Sequence, residues 1–103
     1  MIARIWRTGL DESRADEYTA FATERSLPMF RRQPGFRGLV FARAAEGRVV
    51  ITFWDDAESV ARLDASSDYR ETVAAIGAAG FLREPQSVEV FEVDEALFPD
   101  RVH

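Results

Sequence analysis

The sequence predicts an α+β domain of the ferredoxin-like, split βαβ type (β-α-β-β-α-β): a four-stranded antiparallel sheet with its helices on one face. Three observations predict it. Four short runs rich in β-branched and aromatic residues are bounded by Gly, Pro and Asp clusters. Two longer stretches carry apolar residues at spacings of three and four. These segments follow one another as strand, helix, strand, strand, helix, strand. A chain of 103 residues suits one domain and buries roughly two-thirds of its unfolded surface. The expected division is a domain over 1–94 and a C-terminal tail over 95–103.

Ile2–Thr8 reads as the first strand. Asp11 is the candidate N-cap of the first helix, with Glu12 and Asp16 in the first turn, where the helix dipole favours negative charge. Ala15, Tyr18, Phe21, Ala22 and Arg25 then mark one helical face. Pro28 should end or kink this helix, with Met29–Arg32 as one more turn, and Gln33-Pro34-Gly35 is a stop. Phe36–Ala44 is the second strand. Ala45-Glu46-Gly47 turns the chain into Arg48–Trp54, where Val49–Trp54 is the strongest strand signal.

Asp55 and Glu58 have capping-box spacing for the second helix, and Val60 and Leu63 supply its inner face. Ser66-Ser67-Asp68 interrupts it and caps a further segment with the stripe Tyr69, Val73 and Ile76. Pro85 precedes the fourth strand, Gln86–Val93. Strands 1 and 3 are expected at the centre and parallel to each other, with strands 2 and 4 outside. The crossover rule places both helices on the same face.

Composition removes several function classes. The net charge of −5 argues against nucleic acid and anionic lipid as partners. All thirteen basic residues are Arg, which reads as a coding bias or, more sharply, as anion-binding arginines. The absence of Cys excludes disulfides, thiol nucleophiles and thiolate metal sites. No stretch approaches the ~20 apolar residues of a membrane span, and the charged N-terminus lacks a signal-peptide core. A cytoplasmic location is the expectation. The acidic residues show no metal pattern, and no P-loop, dinucleotide fingerprint or Ser-His-Asp set is present. The single His, His103, stands at the chain end.

Strand 3 is apolar on both sides: Val49, Ile51 and Phe53 alternate with Val50, Thr52 and Trp54. On strand 2, Phe36, Val40 and Ala42 oppose Leu39 and Phe41. Helices cover one sheet face, so the other predicts a homodimer through that face. At ~25 cal/mol per Å², about 500 Å² of apolar burial per subunit is worth on the order of 12 kcal/mol before association costs.

Pro34-Gly35-Phe36, Ile51-Thr52-Phe53-Trp54-Asp55, Glu58-Ser59 and Tyr69, in this order and spacing, resemble the antibiotic biosynthesis monooxygenase-like family of dimeric α+β barrels. The opening Ile2–Arg7 is similar to many of its members. The resemblance covers nearly the whole chain. It implies a homodimeric barrel, no metal or flavin cofactor, and a small aromatic ligand. The best-known members oxidise polycyclic phenols to quinones. Those members carry an Asn four residues before the strand-3 Trp and a Tyr six after it. Here the Trp is Trp54, and the two polar positions hold Val50 and Val60. The haem-degrading members place an Asn in strand 1, a Trp in helix 2 and a His on the later helix. This chain has no Asn in strand 1, Leu63 in helix 2, and only His103, so haem degradation is not expected.

The candidate catalytic residues are Trp54, Tyr69 and Arg4, with Trp6, Phe21, Met29 and Phe81 as substrate-binding candidates. Trp54 either closes the core or stacks on a flat substrate. Arg4 either pairs with Glu89 or Glu92 on strand 4 or stabilises a phenolate. Tyr69 is either a satisfied core phenol or a ligand-orienting one, and the Met and aromatic cluster either fills a core or lines a cavity. Three functions stay open. One is a cofactor-independent oxygenase of activated, polyketide-like phenols. Another is a non-catalytic small-molecule-binding or stress-related dimer. The third is a related barrel that performs isomerisation or cyclisation.

Overall fold

The computed structural model describes residues 1–99. His103 lies outside them. Strand β1 (Ile2–Leu10) leads through a 3₁₀ turn (Glu12–Arg14) into helix α1 (Ala15–Phe21). A π-helical segment (Ala22–Ser26) joins α1 to α2 (Leu27–Arg31). The hairpin of β2 (Phe36–Ala44) and β3 (Gly47–Trp54) follows, then α3 (Ala57–Ala65), α4 (Ser67–Ala78) and β4 (Leu82–Glu92). The strand order is β2-β3-β1-β4.

β1 and β3 are central as expected, but they run antiparallel. The parallel expectation fails because β2 is the strand that the helical crossover returns in the direction of β1. The tight hairpin then reverses β3 against both. Every neighbouring pair in the sheet is antiparallel.

Pro28 does not end the first helix. The Leu27 N–H donates to the Ala22 carbonyl, one residue beyond the α-helical spacing. This wider turn precedes the proline and lets the helix continue past a residue that has no N–H and crowds the preceding turn. The second-helix cap also shifts by one. Asp56, not Asp55, accepts from the Ser59 N–H at 2.9 Å and from its hydroxyl at 2.8 Å, while Asp55 pairs with Arg37 at 3.3 Å. Ser66 caps α4 through the Tyr69 N–H, as its spacing predicts.

β4 begins earlier than expected and includes Pro85. An edge strand tolerates a missing donor, and the β1–β4 register shifts at Thr8/Gly9 beside it.

The helix-facing side of the sheet presents Ile2, Arg4, Trp6 and Thr8 of β1 against Trp54, Thr52, Val50 and Arg48 of β3. Phe36 joins this side, contrary to the simple alternation. Between Phe36 and Gly38 the register slips by one residue at Arg37, so Phe36 pairs with Trp54. Two packed clusters result. One unites Ile2, Met29, Phe30, Val50, Trp54 and Leu63. The other unites Leu10, Tyr18, Ala22, Ile76 and Phe81. The opposite sheet face carries Ala3, Ile5, Val40, Ala42, Val49, Ile51, Phe53 and Phe91. Val40 is 43% exposed and Phe91 47%. The Phe98 ring meets Phe53 on this face at 6.2 Å.

Candidate active site

A cavity of about 460 Å³ lies between the sheet and the helices. Arg4, Trp6, Val50 and Thr52 of the central strands form its floor. Tyr18, Met29 and Phe30 on one side and Tyr69, Val73 and Ile76 on the other form its walls. Phe41, Val73 and Val88 line it while partly exposed, so it opens to solvent there. Ala22 and Ser26, the ends of the π-helical segment, also line it. Their small side chains leave the space that larger residues would fill.

Among the predicted site residues, Arg4, Trp6, Met29 and Tyr69 converge on this cavity. Trp54, Phe21 and Phe81 are not among its lining residues. Trp54 is fully buried and its indole N–H donates to the Thr52 hydroxyl at 2.8 Å. Phe36 and Phe30 close over it with ring centroids at 5.6 and 6.3 Å. Phe81 packs edge-on against Tyr18 and Phe21, behind the cavity wall.

Arg4 is the only charged side chain among the described lining residues. Its guanidinium donates to the Tyr69 hydroxyl at 2.8 Å and lies 3.8 Å from the Asp64 carboxylate. The expected partners do not serve it. Glu89 points to the opposite face, where it pairs with Arg7, and Glu92 makes no bond to it. The guanidinium also sits 5.4 Å from the Tyr69 ring centre, which adds a cation–π attraction. Thr52 and Thr72 spend their hydroxyl hydrogens on the Arg4 and Asp68 carbonyls.

Tyr18 is placed by the sequence on the apolar helical face but not among the candidate site residues. It is 4% exposed, and burial pushes its phenol above the ordinary value of 10.0 while Arg48 draws it back. The phenol is therefore neutral near pH 7 and able to donate. The available signal was the four-residue spacing of Tyr18, Ala22 and Ser26: an aromatic with a polar tip beside two small residues on one helical face. Among the described residues, no cluster of three or more His, Cys, Asp or Glu could hold a metal ion.

The architecture matches solved structures along nearly its whole length. SnoaB, a cofactor-independent oxygenase from Streptomyces nogalater, superposes with a TM-score of 0.74 at 22% identity, over 96% of this chain and 97% of that one. Rv0793 from Mycobacterium tuberculosis gives 0.73 at 21% identity, over 93% and 98%. An antibiotic biosynthesis monooxygenase gives 0.73 at 16% identity, over 92% and 100%. The chain has the fold of the antibiotic biosynthesis monooxygenase-like proteins. No protein-family model and no curated protein sequence matches it.

Within this monooxygenase-like fold, the two valines at the resemblance's polar positions part company. Val50 is on the cavity floor, paired with Trp6 across β1 and β3, and is 6% exposed. Val60 packs against the Trp54 cluster and is not among the cavity residues. No helix among the described residues is long and apolar enough to cross a membrane.

Proposed function

We propose that the chain is a cofactor-independent oxygenase of flat, electron-rich phenols, with the substrate bound between the helices and the sheet. One observation carries the reading: an aromatic-walled cavity whose only described charged lining residue is Arg4. A cation in such poorly hydrated surroundings lowers the pKa of a bound phenol and holds its anion. Trp6 and Phe30 offer faces for stacking. Tyr69 sets the Arg4 guanidinium, and Tyr18 donates to a second substrate oxygen.

An electron-rich phenolate reduces dioxygen by one electron. The carbon radical and superoxide then combine as a peroxide anion, which takes up the proton released when the phenol ionised. The distal oxygen leaves as water with the hydrogen of the same carbon, so that a quinone carbonyl remains. One oxygen atom ends in the product and the other in water.

The test is oxygen uptake with 1,8-dihydroxyanthrone and protein stripped of metal and flavin. Uptake above the spontaneous rate is expected, and its absence removes the reading for this substrate class. Val50 favours a second reading, a non-catalytic binder of the same kind of ligand, because an isopropyl group on the floor donates no hydrogen bond to a peroxide. Tight binding of anthraquinone without oxygen uptake would select it.

The proposed assembly is a homodimer through the free sheet face, supported by the apolar residues Ile5, Val40, Val49 and Ile51 on that side. In this reading residues 1–94 form the catalytic or binding domain, 95–103 form a tail, and the Cys-free composition suits the cytoplasm.

A further inference from the structure

A smaller recess of about 230 Å³ adjoins the main cavity and shares Tyr18, Ala22 and Phe41 with it. Its character differs. Arg43 and Arg48 line it with Thr19 and Thr23. The two arginines are direct cross-strand partners on β2 and β3. Like charges placed opposite one another in a sheet repel and weaken the pairing. Glu12 relieves only one of them: it receives Arg48 through two bonds of 3.0 and 3.1 Å. Arg43 makes no ion pair among the described residues and is exposed at the recess. The Arg48 guanidinium also lies 5.9 Å from the Tyr18 ring centre, so one aromatic side chain borders both compartments.

We propose that this recess receives the carboxylate of the ligand whose aromatic body fills the main cavity, with Arg43 as its principal partner. The proposal rests on the main cavity being the ligand site and narrows the ligand to aromatic acids. Arg43 supplies a planar pair of donors that matches a carboxylate. Arg48, held by Glu12, contributes positive potential. The Tyr18 phenol stands at the junction, where it donates to either part of the ligand.

Two stable probes differ only at the group in question: anthraquinone-2-carboxylate and anthraquinone-2-carboxamide. Quenching of the fluorescence of Trp6 on the cavity floor reads their binding to the full-length protein. The carboxylate is expected to bind about tenfold more tightly, the scale of one charge-assisted hydrogen bond. Arg43→Gln, on an exposed edge position, should abolish that preference and bring the two affinities together. Arg43→Lys should restore part of it, and added salt should shrink it.

If both probes bind wild type equally, the recess is not a carboxylate site and the main cavity reading stands. A preference that persists in Arg43→Gln likewise overturns the assignment. If neither probe binds, the main cavity reading and this inference fall together.

Discussion

The Arg4 guanidinium reaches from the middle of β1 to the Tyr69 hydroxyl near the start of α4, 2.8 Å away, and ties the cavity floor to its wall. A cation on a central strand is tolerable because this bond and the nearby Asp64 carboxylate stand in for water. Tyr69→Phe removes the hydrogen-bond acceptor and keeps the ring. It should lower unfolding stability by about 1–3 kcal/mol, the range for a buried donor left unsatisfied. The urea midpoint reports the loss, and anthraquinone binding should survive it. Arg4→Met keeps the apolar stem and deletes the charge. Oxygen uptake should then drop by about a hundredfold, and a variant that oxidises the anthrone at the wild-type rate would remove Arg4 from the chemistry.

The free sheet face gives a second prediction. Ile51 lies at its centre, paired with Ile5 on one side and Val40 on the other. Burying this surface against a second copy requires all three to stay apolar. Wild type should sediment as a dimer at micromolar concentration. Ile51→Glu should sediment as a monomer while keeping its far-ultraviolet circular dichroism.

Much of this arrangement is legible in the sequence, and the failures have physical causes. The period of two in Val49–Trp54 fixes which residues share a face, and the Ser66 cap follows from a polar residue ahead of an apolar stripe. Phe36 defeats the same logic because the extra residue at Arg37 shifts its phase. Pro28 reads as a helix stop or kink, and no local signal announces that the break takes the form of a wider π-helical turn before it. Trp54 shares a face with Arg4, yet it packs against Phe30 and Phe36 and is not among the cavity residues. Those contacts come from distant segments that periodicity does not register. Tyr18 looks like plain core until the small residues after it are seen to border a void.

The turn before β2 is another point of strict geometry. Gly35 has φ +82°, and a Cβ there would stand 2.0 Å from the Ser59 hydroxyl oxygen and 2.6 Å from its Cβ. Both the backbone conformation and the contact exclude a side chain. Gly35→Ala should cost more than about 1 kcal/mol, read as a lower melting temperature. Adding Ser59→Ala leaves the Cβ collision in place and should not rescue it. Adding Ser59→Gly removes the collision and should recover part of the loss, leaving the strain of the positive φ.

Stability should also respond to acid in a defined direction. The Ser13 hydroxyl holds Asp11 below the ordinary carboxylate value of 3.8, the Ser59 hydroxyl and N–H do so for Asp56, and the Arg32 guanidinium for Asp68. Depressed folded values mean that these groups contribute fully above 3.8 and lose their contribution as pH falls through the folded values. Melting temperature should therefore be flat from about pH 7 to about pH 5 and decline below about pH 4. Asp68→Asn should make the decline shallower. Tyr18 acts in the opposite direction at the alkaline end. Its raised value gives stability that is complete below 10.0 and disappears as pH climbs through the folded value. Tyr18→Phe should abolish that alkaline loss.

The last prediction separates the two functional readings through Val50. This side chain stands on the cavity floor directly across from Trp6, its pairing partner on β1. An Asn there would place a donor against bound substrate at the position where the resemblance to quinone-forming oxygenases has one. It would also put a polar amide at a site that is 6% exposed. Val50→Asn should therefore destabilise the protein by about 1–3 kcal/mol. If the chain is an oxygenase limited by a missing donor to the peroxide, uptake of oxygen with 1,8-dihydroxyanthrone should rise in the variant. If the chain is a binder, the variant should hold anthraquinone and still consume no oxygen. Arg4→Met in the Val50→Asn background completes the argument. A gain in uptake that depends on Arg4 locates the reaction in this cavity, and a gain that survives without Arg4 does not.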